Sequence, residues 1–408
     1  LAASAQTEPV DTEPVDTELV IKLKTARFAP ELELLLTCSQ PTSDRKPDLG
    51  AILESPLNWD SVLRLANHHR LLPALHAAVC TRDDVPASIR SAIDARLQNH
   101  ERRVLRFTAE LARIWLHFGQ HKIPVLAHKG AALGQFLYGD PAMRQFGDLD
   151  FLVFAADVPQ ARSALQELGY TRKIQLTPRQ EKEYLRSGYE HVFGLNAERN
   201  LVEMQWRIVP RFYAIHFDME AMFARSVEVD LDGLRLRALG KEDLMLVLCV
   251  HAAKHEWWQL GMLRDIATLA GFDLDWDWIE REACRLGIAR ILVLSLSLAD
   301  SLFSSRFSAL IRLPVKSFRV QGLTAAIQDK IISGVDGETE SLRYFRNMMQ
   351  LRERWQDRMR LAWRLATTPS VGEWKSAQIP DSLFPLYRGV RAVRLLKRFM
   401  IRPSSPVE

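Results

Sequence analysis

Two carboxylates separated by one apolar residue, Asp148-Leu149-Asp150, open an apolar run that continues to Phe154. On a strand, the period of two sends both acids to one face and Leu149, Phe151 and Val153 to the other. Two acids on one face repel and are costly to bury. A divalent cation such as Mg2+ removes that cost, because it takes carboxylate oxygens and leaves positions for water and substrate phosphates. Upstream, Lys129-Gly130-Ala131 follow a short apolar strand ending at Ala127 and precede a helix expected over about 131–138. A helix beginning just after Gly130 turns its free N–H groups and positive dipole end toward an anion, and Gly lets that anion approach the backbone closely. Lys129 adds a point charge.

Further acids must come from neighbouring elements. Val158–Leu168 reads as a helix, Tyr170–Gln175 as a strand, and Thr177-Pro178 opens a charged helix through Tyr189. His191–Asn196 and Leu201–Val209 then flank the polar stretch Ala197–Asn200, which predicts a hairpin. On its second strand Glu203, Gln205 and Arg207 share one face, opposite Val202, Met204 and Trp206. An acid on a strand beside Asp148 and Asp150 is what a third metal ligand requires; the bland alternative is a solvated hairpin residue.

The Lys-Gly corner, the spacer and the Asp-x-Asp strand together resemble the nucleotidyltransferase superfamily typified by DNA polymerase beta. The segments KGAAL, LYGDPAMR and GDLDFLV resemble one branch of it, the uncharacterised bacterial nucleotidyltransferase family, from about Trp59 onward. The spacer Ala132–Gly147 is slightly longer than the superfamily's usual one, and Gln205 stands where this branch more commonly has His. The resemblance implies an α+β fold, with a small mixed-sheet core flanked by N-terminal and C-terminal helical regions. It implies that Asp148, Asp150 and Glu203 hold two Mg2+ ions, with Mn2+ as a substitute. Lys129, Gly130, Ala131 and Arg144 would bind the nucleotide, ATP being favoured among the NTPs. Gln205, Arg207, His251 and His255 are candidate contacts to an unidentified acceptor. The implied activity is transfer of a nucleoside monophosphate to a hydroxyl-type acceptor on a small molecule, peptide or protein. The alternatives are an inactive core that binds nucleotide or a partner, and an enzyme directed at RNA.

The chain has 408 residues, 47% hydrophobic and 25% charged, which suits two or three domains with sizeable cores. The expected division is an acidic tail over 1–20, a helical region over 21–102, the core over 103–240 and a helical domain over 241–408. The tail repeats TEPVD within Thr7–Val20 and is too poor in apolar residues to pack. The longest apolar run, Ile291–Ala299, suits a buried helix and is too short to span a bilayer. No secretory signal pattern appears, and Cys38, Cys80, Cys249 and Cys284 are scattered, which fits a reducing cytoplasm.

Histidines offer weaker leads. His68, His69 and His76 read as solvated or capping residues. His251 and His255 stand at i and i+4 with Ala252 between, unlike a zincin, and Asp265 would be a third ligand; packing or substrate contact is the favoured reading. Trp257 and Trp258 read as core or interface residues. The net charge of +4 conceals a basic end: between Arg343 and Arg402, twelve Arg and two Lys face four acids. Arg388, Arg391, Arg394 and Arg398 form one stripe of the last helix, and Val390, Val393, Leu396 and Met400 an apolar one. A solvated, partly salt-bridged surface is the default, with an anionic polymer or a membrane surface as alternatives.

Overall fold

A computed structural model describes residues 28–41, 48–195, 198–313, 318–332, 342–377 and 379–400; the TEPVD repeat lies outside them. Helices α1 (Pro30–Cys38), α2 (Gly50–Leu53), α3 (Trp59–His68) and α4 (Leu72–Val79) lead into α5 (Ala87–Gln120), which runs unbroken across position 102/103. On α5, Val104, Phe107, Leu111, Ile114 and Phe118 recur at three and four residues and are buried against the sheet. Each such side chain contributes roughly 1.5–3 kcal/mol on burial, so this helix is the back wall of the five-stranded sheet.

The sheet has the order β1-β2-β5-β4-β3. Its strands are β1 (Val125–Ala127), β2 (Asp148–Val153), β3 (Tyr170–Arg172), β4 (Glu190–Leu195) and β5 (Glu198–Gln205). Strand β2 is antiparallel to β1 and parallel to β5, which places Asp150 beside Glu203. Helix α6 (Gly130–Tyr138) connects β1 to the loop before β2, α7 (Val158–Glu167) follows β2, and α8 (Pro178–Ser187) precedes β4. Two sequence boundaries shift. Helix α8 stops at Ser187 rather than Tyr189, and β5 starts at Glu198 and ends at Gln205 rather than running from Leu201 to Val209; part of the expected polar turn lies outside the described residues.

After α9 (Met219–Ala224), β6 (Val227–Leu231) and β7 (Leu234–Ala238) form a hairpin around Asp232-Gly233, both left-handed at φ 53° and 85°. The chain is then helical: α10 (Lys241–Lys254), α11 (Leu260–Ala270), α12 (Trp276–Leu286), α13 (Ala289–Phe303), α14 (Phe318–Ile332), α15 (Leu342–Leu351), α16 (Trp355–Thr367), α17 (Val371–Ser376) and α18 (Tyr387–Met400). Helix α13 carries the apolar run and is buried as expected. Leu34 and Leu75, Leu133 and Leu152, and Leu246, Ile266 and Leu292 belong to one contiguous core. The N-terminal and C-terminal helices therefore pack on each other as well as on the sheet. Among the described residues no helix is long and apolar enough to cross a membrane, and all four cysteines are free.

Helix α18 keeps a partly salt-bridged arginine stripe but not the expected apolar one. The half-buried Arg391 and the exposed Arg394 pair with the buried Glu373 at 3.2 and 3.0 Å, whereas Val393 and Leu396 are exposed. Three-and-four spacing tells which residues share a face, and here the buried carboxylate decides which face turns in. His69 is a second correction, being fully buried rather than solvated, with its pKa lowered to about 4 by burial and by His68. His76 is bound by Asp94 at 2.8 Å.

Candidate active site

The Lys-Gly corner is shaped by contact. Gly130 has φ +59°, and a Cβ there would stand 3.3 Å from the Asp148 carbonyl oxygen, so the start of α6 is pressed against the first residue of β2. At the next turn a Cβ on Gly134 would lie 2.9 Å from Pro141 Cα, which lets the spacer fold back over α6. The spacer is pinned from three sides: Gln145 accepts from Leu72 N at 2.9 Å, Ala142 O accepts from His100 Nε2 at 2.9 Å, and Met143 O accepts from Arg264 Nη1 at 3.1 Å. Helices α4, α5 and α11 thus hold the loop that delivers Asp148.

Asp148, Asp150 and Glu203 come together at this corner. Lys129 Nζ lies 2.9 Å from Asp150 Oδ1. Gln205 Nε2 donates to Asp150 Oδ1 and to Glu203 Oε2, both at 3.1 Å, and approaches Glu190 Oε2 at 3.4 Å. Burial raises the Asp148 pKa, with the Asp150 charge adding to it. Glu203 is pushed up to about 8 by burial, then by Asp150 and Glu190. Burial acts on Asp150 in the same direction, but Lys129 and His128 outweigh it and hold this carboxyl below its ordinary value. The corner gathers carboxylate oxygens as its donors, the set a hard divalent cation takes.

Cations surround the acids. Arg144 is buried, and its Nε donates to Asp265 Oδ2 at 2.9 Å, while Tyr138 holds the other oxygen at 2.7 Å. Asp265 is thus an anchor for Arg144, which excludes it as a third ligand to His251 and His255. Those two rings lie 4.8 Å apart, and both are held neutral, chiefly by burial and then by Lys129 and His255 for the first and by Lys254 for the second. Arg207 is not brought to the carboxylates. Because β5 ends at Gln205, its guanidinium instead donates to the carbonyls of Arg186 and Gly188. It lines a cavity of about 760 Å3 that opens beside Phe154 and Phe217 and includes none of the three acids. Trp257 is a core residue whose Nε1 donates to Ser295.

Three residues missed by sequence reasoning stand at the corner. Arg70 follows α3 in a left-handed conformation at φ 59°, next to His69, whose carbonyl accepts from Gly261 N at 2.9 Å. It is exposed, its guanidinium makes no hydrogen bond or ion pair among the described residues, and it feels the charges of Arg144, Asp148, Asp265 and Asp150. Glu190 opens β4 opposite Gln205. Lys254 ends α10 with Nζ 2.8 Å from the Tyr189 hydroxyl; burial lowers its pKa despite the attraction of Glu190 and Glu203. The signal for Lys254 was its place between His251 and His255; Arg70 and Glu190 had no local signature.

No curated protein matches the chain. The solution structure of the antibiotic-resistance factor ANT(2'')-Ia matches at 14% identity and TM-score 0.31, covering 50% of this chain and 95% of that one. A crystal structure of an antigenic nucleotidyltransferase-like protein from Paracoccidioides brasiliensis matches at 13% identity and TM-score 0.30, covering 48% and 91%. Family comparison reaches further, matching residues 55–304, a span from α3 through α13 that includes every strand. The chain belongs to the uncharacterised nucleotidyltransferase family and is a nucleotidyltransferase.

Proposed function

We propose that this protein is a Mg2+-dependent enzyme that transfers a nucleoside monophosphate from an NTP, ATP being favoured, to a hydroxyl-type acceptor, releasing pyrophosphate. The observation that carries this reading is the convergence of Asp148, Asp150 and Glu203 from adjacent strands, with Glu203 raised to about 8 by burial and by its acidic neighbours. Such a cluster fits a divalent cation, and these three residues would hold two ions. When bound, Mg2+ neutralises charge on the transferring phosphoryl and leaving pyrophosphate and acidifies the acceptor hydroxyl. The protein's own groups bind and orient. The free N–H groups at the start of α6 and the Lys129 ammonium receive phosphate oxygens. Arg144, braced by Asp265, and Arg70, with its donors unused, add positive charge on the same side. Gln205 keeps the Asp150 and Glu203 carboxylates in a fixed relation through its two hydrogen bonds. Lys254 and the neutral His251 and His255 border the corner from α10, where an acceptor would lie.

Equilibrium titration of each Mg-NTP tests the proposal, comparing the native chain with Asp148→Asn/Asp150→Asn. Metal-dependent binding that the double variant loses supports it. A folded native chain that binds none of the four overturns it.

A second reading, an acceptor rich in phosphate such as RNA, is favoured by one observation. Arg179, Arg186, Arg211, Arg364 and Arg388 line a groove of about 370 Å3 in which Glu183 is the one acid, and the exposed Trp363 stands at its edge. Oligonucleotide binding that falls steeply with salt and is lost in Arg211→Glu/Arg388→Glu would establish that reading. Salt-insensitive or absent binding removes it.

A further inference from the structure

Away from the carboxylate corner, the last turn of α5 carries His117 and, at its C-terminal cap, His121. The i, i+4 spacing puts both rings on one side of the helix, with centroids 4.6 Å apart. Facing them is Glu167, the last residue of α7. His117 Nε2 lies 3.1 Å and His121 Nε2 2.9 Å from the same carboxylate oxygen, Glu167 Oε2. Ligand atoms held roughly 2.0–2.2 Å from a tetrahedral Zn2+ sit about 3.3–3.6 Å from one another. The two nitrogen-to-oxygen separations fall slightly short of such an edge, and all three atoms lie within 4.8 Å of one another.

Electrostatics favour a cation at the same point. The C-termini of α5 and α7 both end there, and each brings the negative end of a helix dipole. The carboxylate has no Lys or Arg ion pair among the described residues; its partners are the two imidazoles. The end of α5 is also tied to the first turn of α7, since Gln160 Nε2 donates to the His121 carbonyl at 2.9 Å. Two imidazole nitrogens and one carboxylate oxygen, partly open to solvent, form a donor set with room for a fourth ligand.

We propose that His117, His121 and Glu167 form a binding site for a borderline transition-metal cation, Zn2+ above all, separate from the nucleotidyltransferase site. The metal fastens the end of α5, the back wall of the sheet, to the end of α7. The inference stands apart from the proposed reaction and does not depend on it.

Co2+ is the spectroscopic probe. It is titrated into the full chain carrying Asp148→Asn/Asp150→Asn, so that the strand carboxylates do not compete. The expected result is visible ligand-field absorption saturating near one equivalent, bleached by Zn2+, with a melting temperature that rises on metal addition. Single His117→Ala, His121→Gln and Glu167→Gln variants, checked for native circular dichroism, each weaken binding about tenfold or more. Absence of the absorption overturns the proposal, as does its survival in both histidine variants. A sulfur-to-cobalt band that disappears in Cys80→Ser also overturns it, because the metal would then occupy the grouping of His76, Cys80 and Asp94.

Discussion

Replacing Glu203 by Gln leaves its shape and its hydrogen bond with Gln205 in place while removing one ionisable group from the crowded corner. In the metal-free protein the Glu203 pKa of about 8 lies far above the ordinary 4.5, so at neutral pH folding must return a proton to this carboxylate. At ~1.4 kcal/mol per pH unit between 4.5 and 7, that costs about 3 kcal/mol. Solvent reaching the partly exposed side chain screens the figure to about 1–2 kcal/mol. The sign follows from the raised folded value: the penalty is absent below the unfolded pKa of 4.5, grows as pH rises, and levels off above about 8. Urea unfolding in the presence of a chelator is the assay. Glu203→Gln should match the native chain near about pH 4.5 and exceed its stability by about 1–2 kcal/mol near about pH 7. Mg2+ should close the gap by stabilising the native chain, and the variant should lose transfer. Equal stability of the two chains across this range would refute the idea that burial, with repulsion from Asp150 and Glu190, raises Glu203.

Other perturbations test separate parts of the account. Lys129→Met removes the cation at 2.9 Å from Asp150 and should weaken Mg-NTP binding about tenfold to a hundredfold in calorimetric titration, the scale of a charge-assisted contact. Gly130→Ala places a side chain at φ +59° against the Asp148 carbonyl; thermal unfolding should register about 1–2 kcal/mol of destabilisation together with weakened nucleotide binding. Arg391→Ala leaves the fully buried Glu373 with Arg394 alone and should cost about 1–3 kcal/mol in urea unfolding, whereas Arg388→Ala, at an exposed position, should change stability little.

The dense part of the corner was readable because its residues are local. Asp148-Leu149-Asp150 and Lys129-Gly130 each carry their meaning within a few positions, and the alternation of β5 correctly brought Glu203 beside Asp150. The same alternation failed at Arg207, since nothing in Trp206-Arg207-Ile208 announces that pairing has ended at Gln205. Arg70 and Glu190 reach the site through tertiary packing. One sits in a left-handed position whose neighbour, His69, is tied to the start of α11, and the other begins a strand where a helix was expected to be ending. The histidine pair at the end of α5 carries no local signature of a site, because its carboxylate partner lies 46 residues beyond His121. Helix α18 shows a related limit. Its periodicity was legible, but its orientation depended on Glu373, a buried acid that local spacing does not reveal.

The central claim is nucleotidyl transfer at the Asp148, Asp150 and Glu203 corner. The direct measurement is incubation of the purified chain with each α-labelled NTP, Mg2+ and a cell extract, following label in macromolecules and small products alongside pyrophosphate release. The account predicts metal-dependent transfer of the labelled nucleoside monophosphate, absent with Asp148→Asn/Asp150→Asn. Transfer that persists undiminished in that variant would contradict it.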